Sequence, residues 1–275
     1  MKVYLCALAK NEHLYINEWV EHYVNLGFDK IFIFDNDNKG SVPNVKECIS
    51  SKFLNKCRII NARGIHRNNM QGEFYTNFYN IENKNFDWCL FCDIDEFLVG
   101  IDNIKSFLSS GKFVAAQQIR VKWKLFGDDN KIERDMSKGV MESFKKEITE
   151  PLTKDLSKTC KLHNQGKAIV KGGLKDIVFD SVHFATNKRT NSILLSVLPS
   201  GKRCLSGVEI KEDYSNESVF LNHYMTKSLS EFVKQKMNRT DAVFGKRTLD
   251  MNYYWRLNKK TPKKLKYLKD MGLEI

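Results

Sequence analysis

A chain of 275 residues with 42% hydrophobic and 12% aromatic content can bury a substantial core and is too apolar to be disordered. Four prolines and no Gly/Ser-rich run leave no flexible linker, so one domain with decorated ends is expected. The net charge of +12 favours an anionic partner: nucleic acid, a phosphorylated small molecule or an acidic membrane face.

Val3 to Ala9 is a nearly continuous apolar run, the pattern of a parallel strand buried on both faces. Lys10 and Glu12 end it too early for a signal peptide. No later stretch resembles a spanning helix, so a cytoplasmic location is expected. Ile16, Trp19, Val20, Tyr23 and Val24 recur at helical spacing, and Gly27 stops the helix. Ile31 to Phe34 is a second strand, cut off by the turn-forming DNDNKG. A weaker helix over 42–54 leads to a third strand near Cys57 to Ile60. A helix from Gln71 to Glu82 then leads to a fourth strand, Trp88 to Cys92. This alternation predicts an α/β fold with a Rossmann-like, mostly parallel sheet flanked by helices.

Beyond Ile101 the rhythm loosens. A helix over Ile104 to Leu108 and a strand over Phe113 to Val121 precede a polar stretch, Gly127 to Lys167, read as a variable, acceptor-facing region. Short strands over Ile177 to Phe184 and Val219 to Leu221 and a helix from Ser228 to Met237 follow. From residue 251 the chain is a basic helical tail with Arg256, Lys259, Lys260, Lys263, Lys264, Lys266 and Lys269 next to Tyr253, Tyr254 and Trp255. Aromatics beside lysines suit an anionic membrane interface; a solvated basic helix has the same charge pattern.

The cysteine count is odd, seven in all, and Cys89 and Cys92 form a CxxC. In a strand, residues three apart point to opposite faces, so this pair cannot share a metal, and reduced thiols are expected.

Polar groups gather where the predicted parallel strands end: Lys10-Asn11-Glu12, Asp35-Asn36-Asp37 and Asp93-Ile94-Asp95-Glu96. Ligands of open parallel sheets bind at these carboxyl ends. Alternation turns Asp93 and Asp95 to one side and Ile94 to the core. Two carboxylates facing one way repel each other unless a cation intervenes, and Mn²⁺ or Mg²⁺ bridging to phosphate would relieve that. The bland reading is a pair of exposed loop aspartates.

The segments CALAKNEHLYINEWVEHYVNLGFDKIFIFDND, QGEFYTNFYN, DWCLFCDIDEFL, WKLFG and NHYMTKSLSEFVKQKM occur in this order over about residues 3–240. Together they resemble the glycosyltransferase family 92 and family 2-like group of GT-A enzymes. The resemblance implies a metal-dependent, inverting glycosyltransferase (residues 1–250), with a nucleotide-sugar-binding half (1–100) and an acceptor-binding half (101–250). It implies a donor pocket lined by Ala7, Lys10, Asn11, Glu12, Asp35 and Gln71. Asp93 would contact the ribose or metal, Asp95 would ligate the metal, and a late histidine, His223 or else His183, would complete the set. Lys227 would meet the diphosphate, as a cation offsetting leaving-group charge.

A catalytic base is required to take the acceptor proton. Glu96, Asp128 and Asp129 are candidates, with Glu96 and Asp129 preferred, and Trp123 and Phe126 would stack on a sugar or fill the core. The donor is expected to be UDP-linked and the acceptor a saccharide or lipid-linked saccharide of surface polysaccharide or lipopolysaccharide assembly, with the tail docking the enzyme peripherally. Two other readings fit the pattern less well. A DxD phosphotransferase carries its motif after the first strand, and a nucleic-acid-binding protein would show zinc-finger spacing, RNP aromatics or a GXXG loop, which this chain lacks.

Overall fold

β1 (Val3–Ala9) is buried at every position, as a strand covered on both faces must be. The computed structural model describes residues 1–41, 43–148, 162, 164–237 and 249–273. In it, α1 (Ile16–Asn25), β2 (Lys30–Asp35), α2 (Ser51–Leu54), β3 (Cys57–Asn61), α3 (Met70–Glu82) and β4 (Trp88–Phe91) follow β1. β1 lies between β2 and β4, parallel to both, and β3 continues the parallel run beside β2. The helix expected over 42–54 forms only as the short α2; residue 42 lies outside the described residues. The side chains of Asn44 and Glu47 accept hydrogen bonds from each other's backbone N–H at 3.2 and 3.0 Å, closing a local turn in competition with a helix.

β5 (Glu96–Val99), α4 (Ile104–Leu108), β6 (Gln118–Leu125), α5 (Val140–Ser143) and β7 (Gly166–Lys171) come next. β6 starts at Gln118 rather than Phe113 because Gly111–Phe113 makes a 3₁₀ turn. β8 (Ile177–Ser181), β9 (Phe184–Asn187) and β10 (Ser192–Ile193) form a small antiparallel sheet of their own. β11 (Ser196–Val197), β12 (Arg203–Cys204) and β13 (Phe220–His223) return to the main sheet. Its order is β12-β11-β6-β7-β4-β1-β2-β3, with β7 inserted antiparallel between β4 and β6. β13 pairs antiparallel with β5 and parallel with β6. The protein is therefore mixed α/β with a mostly parallel central sheet and helices.

Strand alternation divides the core in two. Leu5, Ala7, Ile33, Leu90 and Cys92 pack with Trp19, Val20 and Tyr23 of α1, while Cys6, Phe32, Cys89 and Phe91 pack with Tyr75, Phe78 and Tyr79 of α3. The CxxC cysteines thus lie on opposite faces, as alternation requires, and burial pushes both thiols well above their usual range. Gly72 of the QGEFY segment lets β8 lie against α3: the carbonyl oxygen of Phe179 stands where a Cβ would need to be.

The C-terminal segment forms α6 (Leu229–Glu231), a π-helical turn over Phe232–Lys236, α7 (Met251–Leu257) and α8 (Pro262–Asp270). Tyr254 and Trp255, expected as membrane-interface rings, are instead 0% and 7% exposed and pack with Leu229, Phe232 and Leu268. Lys264 is buried too and pairs with Asp128. The tail's exposed cations are Arg256, Lys259, Lys260, Lys263, Lys266 and Lys269. Among the described residues no helix is long and apolar enough to cross a membrane.

Glu212 closes the loop after β12. It accepts from the Leu205 and Ser206 backbone N–H at 2.6 and 3.1 Å and from the Ser206 hydroxyl at 2.6 Å. Partial burial works against its ionised form, yet these donors bring it down from 4.5 to about 2. A depressed carboxyl stabilises the fold fully above its ordinary value and loses that contribution as pH falls toward the folded value. Glu212→Gln is therefore expected to be less stable than the parent at pH 7, with the gap narrowing below about pH 4.5. Urea unfolding at several pH values checks this, and a gap independent of pH would contradict it.

Candidate functional site

The turn that follows β4 carries the DxD pair, and α1 holds it from behind. The Trp19 Nε1–H donates to the carbonyls of Asp93 and Glu96 at 3.1 and 3.0 Å, and the Tyr23 hydroxyl donates to the same Glu96 carbonyl at 2.9 Å. Glu96 closes the turn from within: its Oε2 accepts the Asp93 N–H at 3.1 Å. Its side chain is wholly buried, and burial, reinforced by Asp93 and Asp95, raises it well above the usual carboxylate range against the pull of Lys167. Glu96 thus shapes the turn from within, whereas the base role expected for it needs a side chain open to an acceptor hydroxyl.

β13 delivers His223 to this turn. Its antiparallel register sets His223 opposite Glu96, and the Tyr224 N–H donates to the Asp95 carbonyl at 2.9 Å. His223 Nε2 then lies 3.4 Å from Asp95 Oδ1, and its ring packs edge-on to Trp123 with centroids 4.4 Å apart. His183 sits against Trp123 as well, at 5.3 Å, but its Nδ1 lies 2.9 Å from the Gly166 carbonyl oxygen. Burial first, then Lys167, brings His183 down to about 3, so it is neutral at ordinary pH.

Three lysines surround the carboxylates. Lys167 Nζ stands 2.8 Å from Asp93 Oδ2 and 3.8 Å from Glu96 Oε1. Lys236 Nζ binds Asp95 Oδ2 and the Met225 carbonyl, the latter at 2.6 Å. Lys227 Nζ is 3.7 Å from Glu12 Oε2 and 3.8 Å from the Tyr15 ring centroid. Burial acts to raise both aspartates, but Lys167 outweighs it at Asp93, and Lys236 with His223 at Asp95, so both fall below the usual carboxylate range. Burial lowers Lys227, and Lys236 adds to this against Glu12. Lys167 and Lys236 were not singled out from the sequence. Lys167 heads the apolar run of β7, a weak signal that a buried cation is present, whereas nothing distinguishes Lys236 from Lys234 until the π-helical turn sets its phase.

The remaining predicted residues divide. Gln71 supports the turn, donating to Asp93 Oδ1 at 2.5 Å and contacting the Tyr75 hydroxyl at 2.8 Å. Asn11, with φ +56, donates its N–H to Asp37 Oδ1 at 2.6 Å, and the Arg63 Nε–H donates to Asp35 Oδ2 at 2.9 Å, so the first two strand ends form one polar cluster. Lys10 lies at its rim, 3.4 Å from His66 Nδ1. Ala7 is mid-strand, opposite Ile33 and fully buried, so it packs the core rather than lining a pocket. Asp129 accepts the N–H groups of Lys145 and Lys146 at 2.9 and 3.1 Å. Asp128 is engaged by Tyr254 and Lys264. Both therefore shape their own loop, and a base role for Asp129 has no support in its surroundings.

The expected Mn²⁺ or Mg²⁺ has a poor fit here. Each oxygen of Asp93 and Asp95 already faces a protein nitrogen: Gln71 and Lys167 at Asp93, His223 and Lys236 at Asp95. Among the described residues no three His, Cys, Asp or Glu side chains converge as a metal-holding group.

No family model matches the chain, and no curated protein matches it. Solved structures do. S. aureus TarS 1-349 is 16% identical, covering 62% of this chain and 47% of that one with a TM-score of 0.35. The same protein in complex with UDP-GlcNAc is 14% identical, covering 62% and 45%, again with a TM-score of 0.35. The galactosyltransferase LgtC in complex with donor and acceptor sugar analogs is 13% identical, covering 43% and 46% with a TM-score of 0.27. The chain thus spans less than half the length of each of these structures.

Proposed function

We propose that this chain is a glycosyltransferase of GT-A type that moves a sugar from a nucleotide-sugar donor to a saccharide acceptor. The observation that carries this is the group of Asp93, Asp95, His223, Lys167, Lys227 and Lys236 at the carboxyl edge of a mostly parallel sheet. Beside it, Asn11, Asp35, Asp37 and Arg63 offer hydrogen-bonding groups for a base and ribose. Strand ends of this kind bind nucleotides, and buried ammonium groups suit a diphosphate leaving group. Backbone strain at Lys227 supports the same reading: it adopts positive φ, +55, a conformation a lysine seldom takes.

In the reaction, an acceptor hydroxyl oxygen bonds to the anomeric carbon as the bond from that carbon to the diphosphate breaks. The bonding pair departs with the nucleoside diphosphate, whose added charge the lysines stabilise. The acceptor proton passes to a base other than the sealed Glu96. A single displacement of this kind inverts the anomeric centre. The donor is UDP-linked, following the motifs, and the acceptor belongs to surface polysaccharide or lipopolysaccharide assembly. Thermal-shift titration with UDP, GDP and ADP and their sugars tests the reading. Stabilisation by one nucleotide and its sugar supports it; no response to any of them removes it.

The exposed cations from Arg256 to Lys269 support docking of the enzyme on an anionic membrane surface near a lipid-linked acceptor. Lys263, Lys266 and Lys269 lie three residues apart on the exposed side of α8. At about 1 kcal/mol per basic residue, the triple change to Glu is expected to weaken binding to phosphatidylserine vesicles by roughly 100-fold or more. Vesicle sedimentation measures this, and equal binding by both proteins would remove the membrane role.

A further inference from the structure

We infer that Lys167 and Lys236 take the place a divalent cation would have between the two aspartates, so that the diphosphate of the donor is bound without metal. The inference rests on the nucleotide-sugar reading above.

A cation bridging Asp93 and Asp95 to phosphate must supply positive charge and must find free carboxylate oxygens. The protein supplies the charge itself. Lys167 is paired with Asp93 and Lys236 with Asp95, one ammonium per carboxylate, and both pairs are fixed by secondary structure. Lys167 is held by β7, whose antiparallel register against β4 sets Ala168 opposite Phe91 and so brings Lys167 to the start of the DxD turn. Lys236 is turned inward by the π-helical turn and anchored by the Met225 carbonyl. The oxygens are not free either. Gln71 and His223 face the two that the lysines leave. A divalent ion entering here would add two positive charges to a group whose carboxylates are already matched.

What remains for the ligand is donor capacity. Lys227 Nζ is 2% exposed and has no hydrogen-bond partner among the described residues, although an ammonium carries three donors. It stands at the head of α6, its backbone at φ +55, in the sequence that also delivers His223. Asp93 keeps 32% of its side chain exposed, which marks the open edge of the group. Lys167 lies beneath that edge, 1% exposed and paired with Asp93, so that on a small opening of the edge the ammonium groups can bridge carboxylate and phosphate oxygens as a metal would.

The test uses the full chain and UDP, GDP and ADP as probes, titrated calorimetrically in EDTA and in Mn²⁺. Equal affinity for one nucleotide in both solutions is expected. Lys227→Met, a near match in length, is expected to bind that nucleotide at least about tenfold more weakly in EDTA, as loss of a charge-assisted contact implies. Lys236→Met is expected to lose binding in EDTA and recover it in part with Mn²⁺. Binding by the parent protein that requires Mn²⁺ would overturn the inference while leaving nucleotide-sugar transfer standing. No binding in either solution would overturn both. Unchanged affinity of either variant in EDTA would also overturn it.

Discussion

Asp95→Ala is expected to lower the unfolding free energy by about 3–5 kcal/mol, because it leaves Lys236 buried without its counter-charge. From the sequence alone a DxD turn reads as a loop at the edge of a sheet, where the change would leave the fold intact. The structure reverses this. Asp95 is buried, its Oδ2 binds Lys236, its Oδ1 faces His223, and its carbonyl receives the Tyr224 N–H. A small domain has only about 5–15 kcal/mol to lose, so the variant should be visibly compromised in urea unfolding. Two comparisons separate pair-breaking from general damage. Asp95→Ala combined with Lys236→Met removes both charges and is expected to be more stable than the single variant, a coupling that a double-mutant cycle reads directly. Asp93→Ala leaves Lys167 with Glu96 still 3.8 Å away as a counter-charge and is expected to cost less than Asp95→Ala. An Asp95→Ala protein within about 1 kcal/mol of the parent would show that Lys236 readily finds water or another partner.

The same residues show how far a sequence can be read. Strands buried on both faces announce themselves as apolar runs, so β1, β2 and β4 and the polar groups at their ends were legible, as was the placement of Cys89 and Cys92 on opposite faces. His223 was legible as a candidate, and the β13–β5 register brings it to Asp95. The lysines were not. Among 45 basic side chains a buried one looks like any other, and what buries Lys167 is the long-range pairing of β7 with β4. Tyr254 and Trp255 misled for a related reason: an aromatic pair beside lysines has one composition whether it meets lipid or, as here, the small core around Phe232. The polar stretch over 127–167 carried no periodicity because its described part is held by local turns and side-chain bonds such as those of Asp128 and Asp129. Residues 149–161 and 163 of that stretch lie outside the described residues.

On the proposed function, Trp19→Phe is expected to reduce nucleotide-sugar turnover by roughly 100-fold while leaving a folded protein, because the fully buried indole acts by positioning the turn. Trp19 is fully buried in α1, and its single N–H is shared by the carbonyls of Asp93 and Glu96. Phenylalanine keeps most of the apolar contact but removes the indole donor, leaving the Asp93 carbonyl with only the Glu96 N–H at 3.2 Å and the Glu96 carbonyl with only the Tyr23 hydroxyl, at a cost of about 1–3 kcal/mol. The turn then rests on the Tyr23 hydroxyl and the Glu96 side chain, and the Asp93 and Asp95 carboxylates lose the fixed spacing that sets Lys167 and Lys236. Val20→Ala provides the control. Val20 neighbours Trp19 on α1 and is equally buried, but the turn's hydrogen bonds come from Trp19, Tyr23 and Glu96 rather than from it. Its truncation should cost stability with little loss of turnover. If both variants lose turnover in proportion to stability, Trp19 is a core residue and nothing more. If Trp19→Phe alone loses it, helix α1 sets the geometry of the site.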